Sequence, residues 1–181
     1  MSSPRNDEPS TQDLAAQTRN AFALILAKLG RRDHTEKELL QALGRKGYAE
    51  EAAVAALGKA KREGLVNDER LASRIALTSA RSGQRGPRRV EATLRQKGIG
   101  QKTAQEATKA AFTASEEAEE SLIRFATRLL RRARGETRKD KRIRVIRSLM
   151  GRGFPLSDAR KALGIAENAL MEENRPDDAK E

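Results

Sequence analysis

The 181-residue sequence contains no cysteine and no tryptophan, and aromatic residues make up only 3% of it. Without cysteine there can be no disulfide bond and no thiolate chemistry. No stretch reaches the roughly eighteen apolar residues that a membrane-spanning helix needs, and residues 1–13 lack the apolar core of a signal peptide. The sequence therefore predicts a cytoplasmic protein with a thin aliphatic core and no membrane segment.

The sequence also lacks the patterns of catalytic and metal-binding sites. It contains no phosphate-binding P-loop and no activated nucleophile, and its single histidine, His34, is predicted to be a linker residue. Gly83-Gln-Arg-Gly86 fits the G-x-x-G loop of KH domains, but those domains need strands beside the loop. Because no segment alternates as a strand does, a connector between helices is the better interpretation. We expect no enzyme activity, no cofactor and no metal site.

Positive charge is the most prominent property that is present. Lysine and arginine together number 37 against 26 acidic residues, which gives a formal net charge of +11. Residues 124–152 alone hold 12 basic and 2 acidic side chains. Such an excess favours partners that are polyanions or acidic protein surfaces, although it says nothing about the fold.

One short pattern occurs three times along the chain. Each copy has an amphipathic helical turn, a leucine, a basic residue, a glycine and a large apolar residue, and the copies end at Tyr48, Ile99 and Phe154. Glycine ends a helix cheaply because it adopts the left-handed backbone conformation. A repeat of about fifty residues indicates stacked helical units that cannot bury their apolar faces alone.

Helical periodicity and capping residues predict nine helices in an all-α fold. Thr35 begins a capping box, Asn67 and Ser115 are N-cap residues, and Pro87 suits a first helical turn. We expect three tandem three-helix repeats that form an elongated, curved array. The repeats span residues 14–66, 67–114 and 115–164, between a disordered N-terminal tail (1–13) and an acidic C-terminal tail (165–181), which we expect to fray after a short extra helix beyond Gly164.

Basic residues on the predicted outer faces are the candidate site. Like charges one turn apart destabilise a helix, and few acidic residues relieve them here, so a binding face is favoured over a merely solvated one. The middle repeat supplies the first set, Arg85, Arg88, Arg89, Arg95 and Lys97. The third repeat supplies the second set, Arg124, Arg128, Arg131, Arg132, Lys141, Arg144 and Arg147.

Several segments of the sequence together resemble a known family. Asn67-Asp-Glu-Arg-Leu-Ala72 is followed by Gly86-x-x-Arg-Val90-x-x-x-Leu94-x-x-Lys97-Gly98-Ile99, and Glu38-Leu39 with Lys46-Gly47-Tyr48 precedes both. In spacing and order this sequence is similar to the RecX family of recombinase regulators over about residues 20–163. Leu71 stands where the family often has phenylalanine.

The resemblance implies a bacterial regulator of DNA repair, recombination and the SOS response. Members of the family lie along the groove of the RecA–DNA filament and limit its ATP hydrolysis, strand exchange and extension. It therefore implies a RecA filament as partner, with single- or double-stranded DNA inside it, and we expect the protein to act as a monomer.

A second hypothesis stays open on the residues alone. A three-helix unit can also act like a helix-turn-helix, so the chain could be an independent nucleic-acid-binding protein. Tight, sequence-selective binding to duplex DNA without RecA would distinguish this alternative.

Overall fold

The computed structural model describes residues 11–113, 115–135 and 137–173. Within these residues the chain forms nine α-helices and no strand, so the predicted all-α class is confirmed, whereas the number of repeats remains a prediction. The helices are α1 (Thr11–Leu29), α2 (Glu36–Arg45), α3 (Glu50–Arg62), α4 (Asp68–Ser82), α5 (Pro87–Gln96), α6 (Gln101–Phe112), α7 (Glu116–Arg132), α8 (Arg138–Gly151) and α9 (Leu156–Glu173). None of these described helices is long and apolar enough to cross a membrane.

The described helices fall into two compact units. The first unit contains α1, α2, α3 and the start of α4 as far as Leu71, together with the segment Lys97–Ile99. Its core is aliphatic, with Ile25 from α1, Leu39 and Leu43 from α2 and small alanines from α3, on which α1 and α2 both pack.

The second unit contains Ala72–Gln96 and the described residues from Gly100 onwards. Here α5 packs on α6, and both α7 and α8 pack on α9. The core between the last three helices includes Leu122, Leu149, Phe154 and Leu163, each at most 7% exposed.

The glycine of each repeated pattern has the backbone conformation that the sequence predicts. Gly47, Gly98 and Gly153 have φ angles of 80°, 94° and 91°. After them, Ile99 and Phe154 are each 3% exposed, and Tyr48 packs on the core of the first unit. Glycine is required because a side chain at positive φ is strained.

The predicted helix starts are also confirmed. The hydroxyl oxygen of Thr35 accepts a hydrogen bond from the Glu38 amide at 3.1 Å, and the Glu38 carboxylate accepts one from the Thr35 amide, which completes the capping box. The side chains of Asn67 and Ser115 accept hydrogen bonds from the third amide of α4 and α7, at 2.7 and 3.2 Å. Pro87 is the first residue of α5.

Three details of the sequence prediction are wrong. Helix α1 begins at Thr11, so residues 11–13 are helical, while residues 1–10 lie outside the described part. Gly164 lies inside α9, because burial of Ala166 and Glu167 outweighs the roughly 1 kcal/mol that glycine costs there. Val54, whose place in the helical periodicity of the third helix predicts an inward-facing side chain, is 54% exposed.

The helical part of the predicted acidic tail is anchored by ion pairs. The carboxylate of Glu167 pairs with Arg142 and, at 3.5 Å, with Arg138, both on α8. At the end of α9, Glu173 pairs with Arg131 of α7 at 2.6 Å. Residues 174–181 of that tail lie outside the described residues.

Candidate functional site

The loop between α4 and α5 lies directly on the turn between α8 and α9, inside the second unit. The Gly86 amide donates a 2.8 Å hydrogen bond to the carbonyl of Arg152, and the Arg88 amide donates one of 3.2 Å to the carbonyl of Gly153. A Cβ atom on Gly86 would lie 2.4 Å from the carbonyl carbon of Gly153. The contact therefore exists only because neither glycine carries a side chain.

Four arginines surround a depression of about 450 Å³ beside this contact, and we call them the arginine notch. Arg85 and Arg89 come from the loop and from α5, while Arg147 and Arg152 come from α8 and the turn after it. Among the described residues, none of those lining the depression is acidic. Arg85 and Arg89 of the first predicted set and Arg147 of the second set thus lie around one depression.

Two of the four side chains are held by neighbouring groups, and two are not. Arg152 donates to the hydroxyl of Ser148 at 2.9 Å, and Arg89 approaches the carbonyl of Gly151 at 3.5 Å. Arg85 and Arg147 are exposed, and their guanidinium groups have no partner within the described part of the chain. A guanidinium without a partner is ready to bind an anionic oxygen, and its planar fork suits phosphate in particular.

Phe125 of α7 contacts two arginines, one of which lines the notch. The guanidinium carbon of Arg152 lies 5.1 Å from the centre of its ring, and that of Arg128 lies 5.6 Å from it. Cation–π contacts at this distance orient guanidinium groups without neutralising them. Arg128 therefore keeps its charge beside the notch.

Other predicted residues are exposed without forming part of the notch. Arg88, Arg132 and Arg144 have exposed side chains, and their guanidinium groups form no ion pair with the described residues. Lys141 is half-buried and lines a separate depression with Arg138 and Glu167. These residues remain candidates on exposure and charge alone.

Ion pairs inside the protein involve four predicted residues: Arg95, Lys97, Arg124 and Arg131. Arg95 lies 4.0 Å from Glu91, and Arg124 lies 3.2 Å from Glu120, in both cases one helical turn away. Arg131 is the partner of Glu173 described above. Exposed pairs of this kind contribute about 0–1 kcal/mol and exchange readily with other partners.

Lys97 differs from the other three because its ion pair is only partly exposed and lies within the first unit. Its ammonium group donates a 2.8 Å hydrogen bond to the Glu38 carboxylate and is only 32% exposed. We infer that Lys97 stabilises the fold, in contrast to the contact role expected from the sequence.

Two lining residues, Arg152 and Gln84, are missing from the predicted set. Arg152 occupies the place in the third copy of the repeated pattern that Lys97 occupies in the second. The repeated pattern therefore already marked position 152 as a basic residue equivalent to Lys97. Gln84 gave no such signal, because only the contact between the two loops brings it to the depression.

Family models match the chain in two places. Residues 21–59 match "RecX, first three-helix domain" and residues 67–107 match "RecX, second three-helix domain". The first match begins inside α1 and ends inside α3, and the second runs from the residue before α4 into α6. They do not extend to α7, α8 and α9.

Individual relatives and solved structures point to the same family. The regulatory protein RecX of Streptococcus pneumoniae strain Hungary19A-6 and that of strain 70585 are each 30% identical over 151 residues, which is 83% of this chain. The chain spans 57% of the length of these curated relatives.

The solved structures extend the comparison to three dimensions. A crystal structure of RecX from Lactobacillus salivarius superposes with a TM-score of 0.77 at 21% identity, covering 85% of this chain and 99% of that one. A crystal structure of regulatory protein RecX superposes with a TM-score of 0.73 at 26% identity, covering 88% and 81%. The chain belongs to the RecX family of regulatory proteins.

Proposed function

We propose that this protein binds the RecA–DNA filament and inhibits its ATP hydrolysis, its strand exchange and its extension. It would thereby regulate recombination, DNA repair and the SOS response in the cytoplasm. Membership of the RecX family supports the partner. The arginine notch is the observation that carries the mechanism, because it supplies four cationic groups where a strand of DNA could lie.

The chemistry of the notch favours phosphate over an acidic protein surface. Guanidinium groups bind phosphate oxygens in pairs, and a depression of about 450 Å³ has room for backbone phosphates but not for a folded helix. Each neutralised phosphate releases counterions, so binding through the notch weakens steeply with salt. Arg88, Arg132 and Arg144 would add further contacts to DNA or to RecA.

The protein would act as a monomer by stoichiometric binding to the filament, and not by catalysis. No cofactor or metal is needed for such an effect.

The test is cosedimentation with RecA filaments assembled on single-stranded DNA, at low and at physiological salt. The informative variant is Arg85→Glu/Arg147→Glu, which reverses the two notch arginines that have no partner. Arg134→Glu/Arg160→Glu makes the same charge change at two exposed arginines that do not line the depression. We expect the wild type and the control to cosediment and the notch variant to remain in the supernatant.

Two outcomes would count against the proposal. Absence of wild-type protein from the pellet at both salt concentrations would refute filament binding altogether. Equal losses for the notch variant and the control would show that overall charge, and not the notch, carries the contact. The alternative of an independent DNA-binding protein would gain if selective binding to one duplex sequence appeared without RecA.

A further inference from the structure

The first unit has a cationic pocket of its own, and none of the residues that line it belongs to the predicted site residues. A depression of about 580 Å³ lies between the end of α1 and α2. Three aliphatic residues line it, Leu24, Ala27 and Ala42, and we call them its aliphatic floor. Its rim consists of Lys28, Arg31, Arg32, His34, Arg45 and Lys46.

The rim has a strong excess of positive charge. Five of its six residues are basic, and none of the described residues that line the pocket is acidic. Glu38 compensates part of this charge, because its carboxylate lies 3.2 Å from Arg32, but it also binds Lys97. Clustering of like charges is unfavourable in the free protein, so an anion that neutralises it would be bound favourably.

Helix dipoles explain only part of this clustering. Lys28 and Arg45 lie in the last turns of α1 and α2, where a positive charge stabilises the helix by about 0.3–1 kcal/mol. Arg31 and Lys46 lie beyond those helices, are exposed, and have no side-chain partner among the described residues. These two cations gain little from the fold and are available to a ligand.

We propose that this pocket binds the phosphate groups of a nucleotide, with the rim cations on the phosphate oxygens and the aliphatic floor against the sugar. Its volume lies within the range of small-molecule sites. The phosphates could belong to a nucleic-acid strand or to a free nucleotide, since both present the same oxygens. The pocket is separate from the arginine notch, and its occupancy does not depend on RecA.

The absence of cysteine makes a direct test possible, because an introduced cysteine is the only thiol in the chain. Ala27→Cys places that thiol on the floor of the pocket, and Val54→Cys places it on an exposed part of α3 that does not line it. The rate of maleimide labelling is measured for both, alone, with a short oligothymidylate, and with ATP. We expect a phosphate-bearing ligand to slow labelling of Ala27→Cys about tenfold and to leave Val54→Cys unchanged.

The two ligands separate the two sources of phosphate. Protection by the oligothymidylate alone assigns the pocket to a nucleic-acid strand, and protection by ATP alone assigns it to a free nucleotide. If neither ligand protects Ala27→Cys, or if both thiols are protected equally, the proposal is overturned.

Charge variants provide a second measurement. Arg31→Gln/Lys46→Gln should abolish protection of Ala27→Cys, because it removes the two available rim cations. Arg19→Gln/Arg62→Gln removes the same charge from exposed positions of the same unit and should preserve protection. Protection that persists in the rim variant would refute the pocket. Filament cosedimentation of the same variants is recorded separately, so that loss of this pocket is distinguishable from loss of filament binding.

Discussion

The hydroxyl of Thr35 donates a 2.7 Å hydrogen bond to the main-chain carbonyl of Lys97, 62 residues further along the chain. The same oxygen caps α2 by accepting from the Glu38 amide. Because Thr35 is completely buried, this one side chain joins the start of α2 to the segment Lys97–Ile99 inside the first unit.

We predict that Thr35→Val lowers the free energy of unfolding by about 2–4 kcal/mol. The variant keeps the shape of the side chain but removes a helix cap and leaves the buried carbonyl of Lys97 without a partner. Thr35→Ser, which retains the hydroxyl, should cost less than half as much. Urea unfolding followed by circular dichroism measures both, and equal losses for the two variants would contradict the role of the hydroxyl.

A second prediction concerns the close contact between Gly86 and Gly153. Gly86→Ala should destabilise the protein by more than about 2 kcal/mol, because the added Cβ would overlap backbone atoms of the neighbouring turn. It should also weaken DNA binding, since it separates the two loops that build the arginine notch. Gly164→Ala is the control: nothing lies within 4 Å of its Cβ, and it should stabilise α9 by up to about 1 kcal/mol.

The glycines also show which features a sequence can predict. A glycine after a leucine and a basic residue predicts a helix end because the reason is local, and Gly47, Gly98 and Gly153 confirmed this. The same reasoning failed at Gly164, where burial of residues further along keeps the helix intact. Tertiary burial outweighs local propensity there, and burial cannot be read from one segment.

Only individual residues of the candidate site, and not their arrangement, could be predicted from the sequence. Charge and helical facing identified ten of the arginines and two lysines as candidates, among them Arg85 and Arg147. Their meeting at one depression depends on the backbone contact of Gly86 with Arg152, which joins segments 66 residues apart (152 minus 86). The pocket of the first unit was missed because that part of the sequence has nearly balanced charge, which conceals a local cluster.

The protein should become less stable in acid, for two reasons in the first unit. Burial alone would raise the pKa of Glu38, but hydrogen bonds from Lys97, Thr35 and Arg32 hold it at about 2. Burial, and then the charge of Arg32, lower the pKa of His34, whose Nδ1 lies 3.4 Å from the Glu38 carboxylate. His34 does lie in the linker between α1 and α2, as the sequence predicts.

The pKa shifts of His34 and Glu38 both make the folded protein less stable as the pH falls. A lowered histidine pKa means that the unfolded chain binds the extra proton first, so stability falls as the pH drops below about 6.5. The stability from Glu38 is fully present above its ordinary pKa of 4.5 and is lost as the pH falls towards 2. Urea unfolding between pH 7 and pH 3 measures the loss. Glu38→Gln should flatten the lower part of the curve and His34→Asn the upper part, and unchanged curves would contradict the assignment.

A fourth prediction concerns the salt dependence of DNA binding. For the wild type, the logarithm of the affinity for single-stranded DNA should fall linearly with the logarithm of the salt concentration. Arg85→Gln/Arg147→Gln should reduce that slope by about 1–2, because each lost phosphate contact reduces it by about 0.7. Arg134→Gln/Arg160→Gln should change it by less. Fluorescence anisotropy gives the slopes, and parallel lines for the wild type and the notch variant would exclude phosphate contacts at the notch.

The most direct test of the central claim is the rate of DNA-dependent ATP hydrolysis by RecA during titration with this protein. The proposed function predicts that the wild type slows hydrolysis in proportion to its amount, that Arg85→Glu/Arg147→Glu does so only at much higher concentration, and that Arg134→Glu/Arg160→Glu resembles the wild type. A rate that stays unchanged at a several-fold excess of wild-type protein over RecA would contradict it.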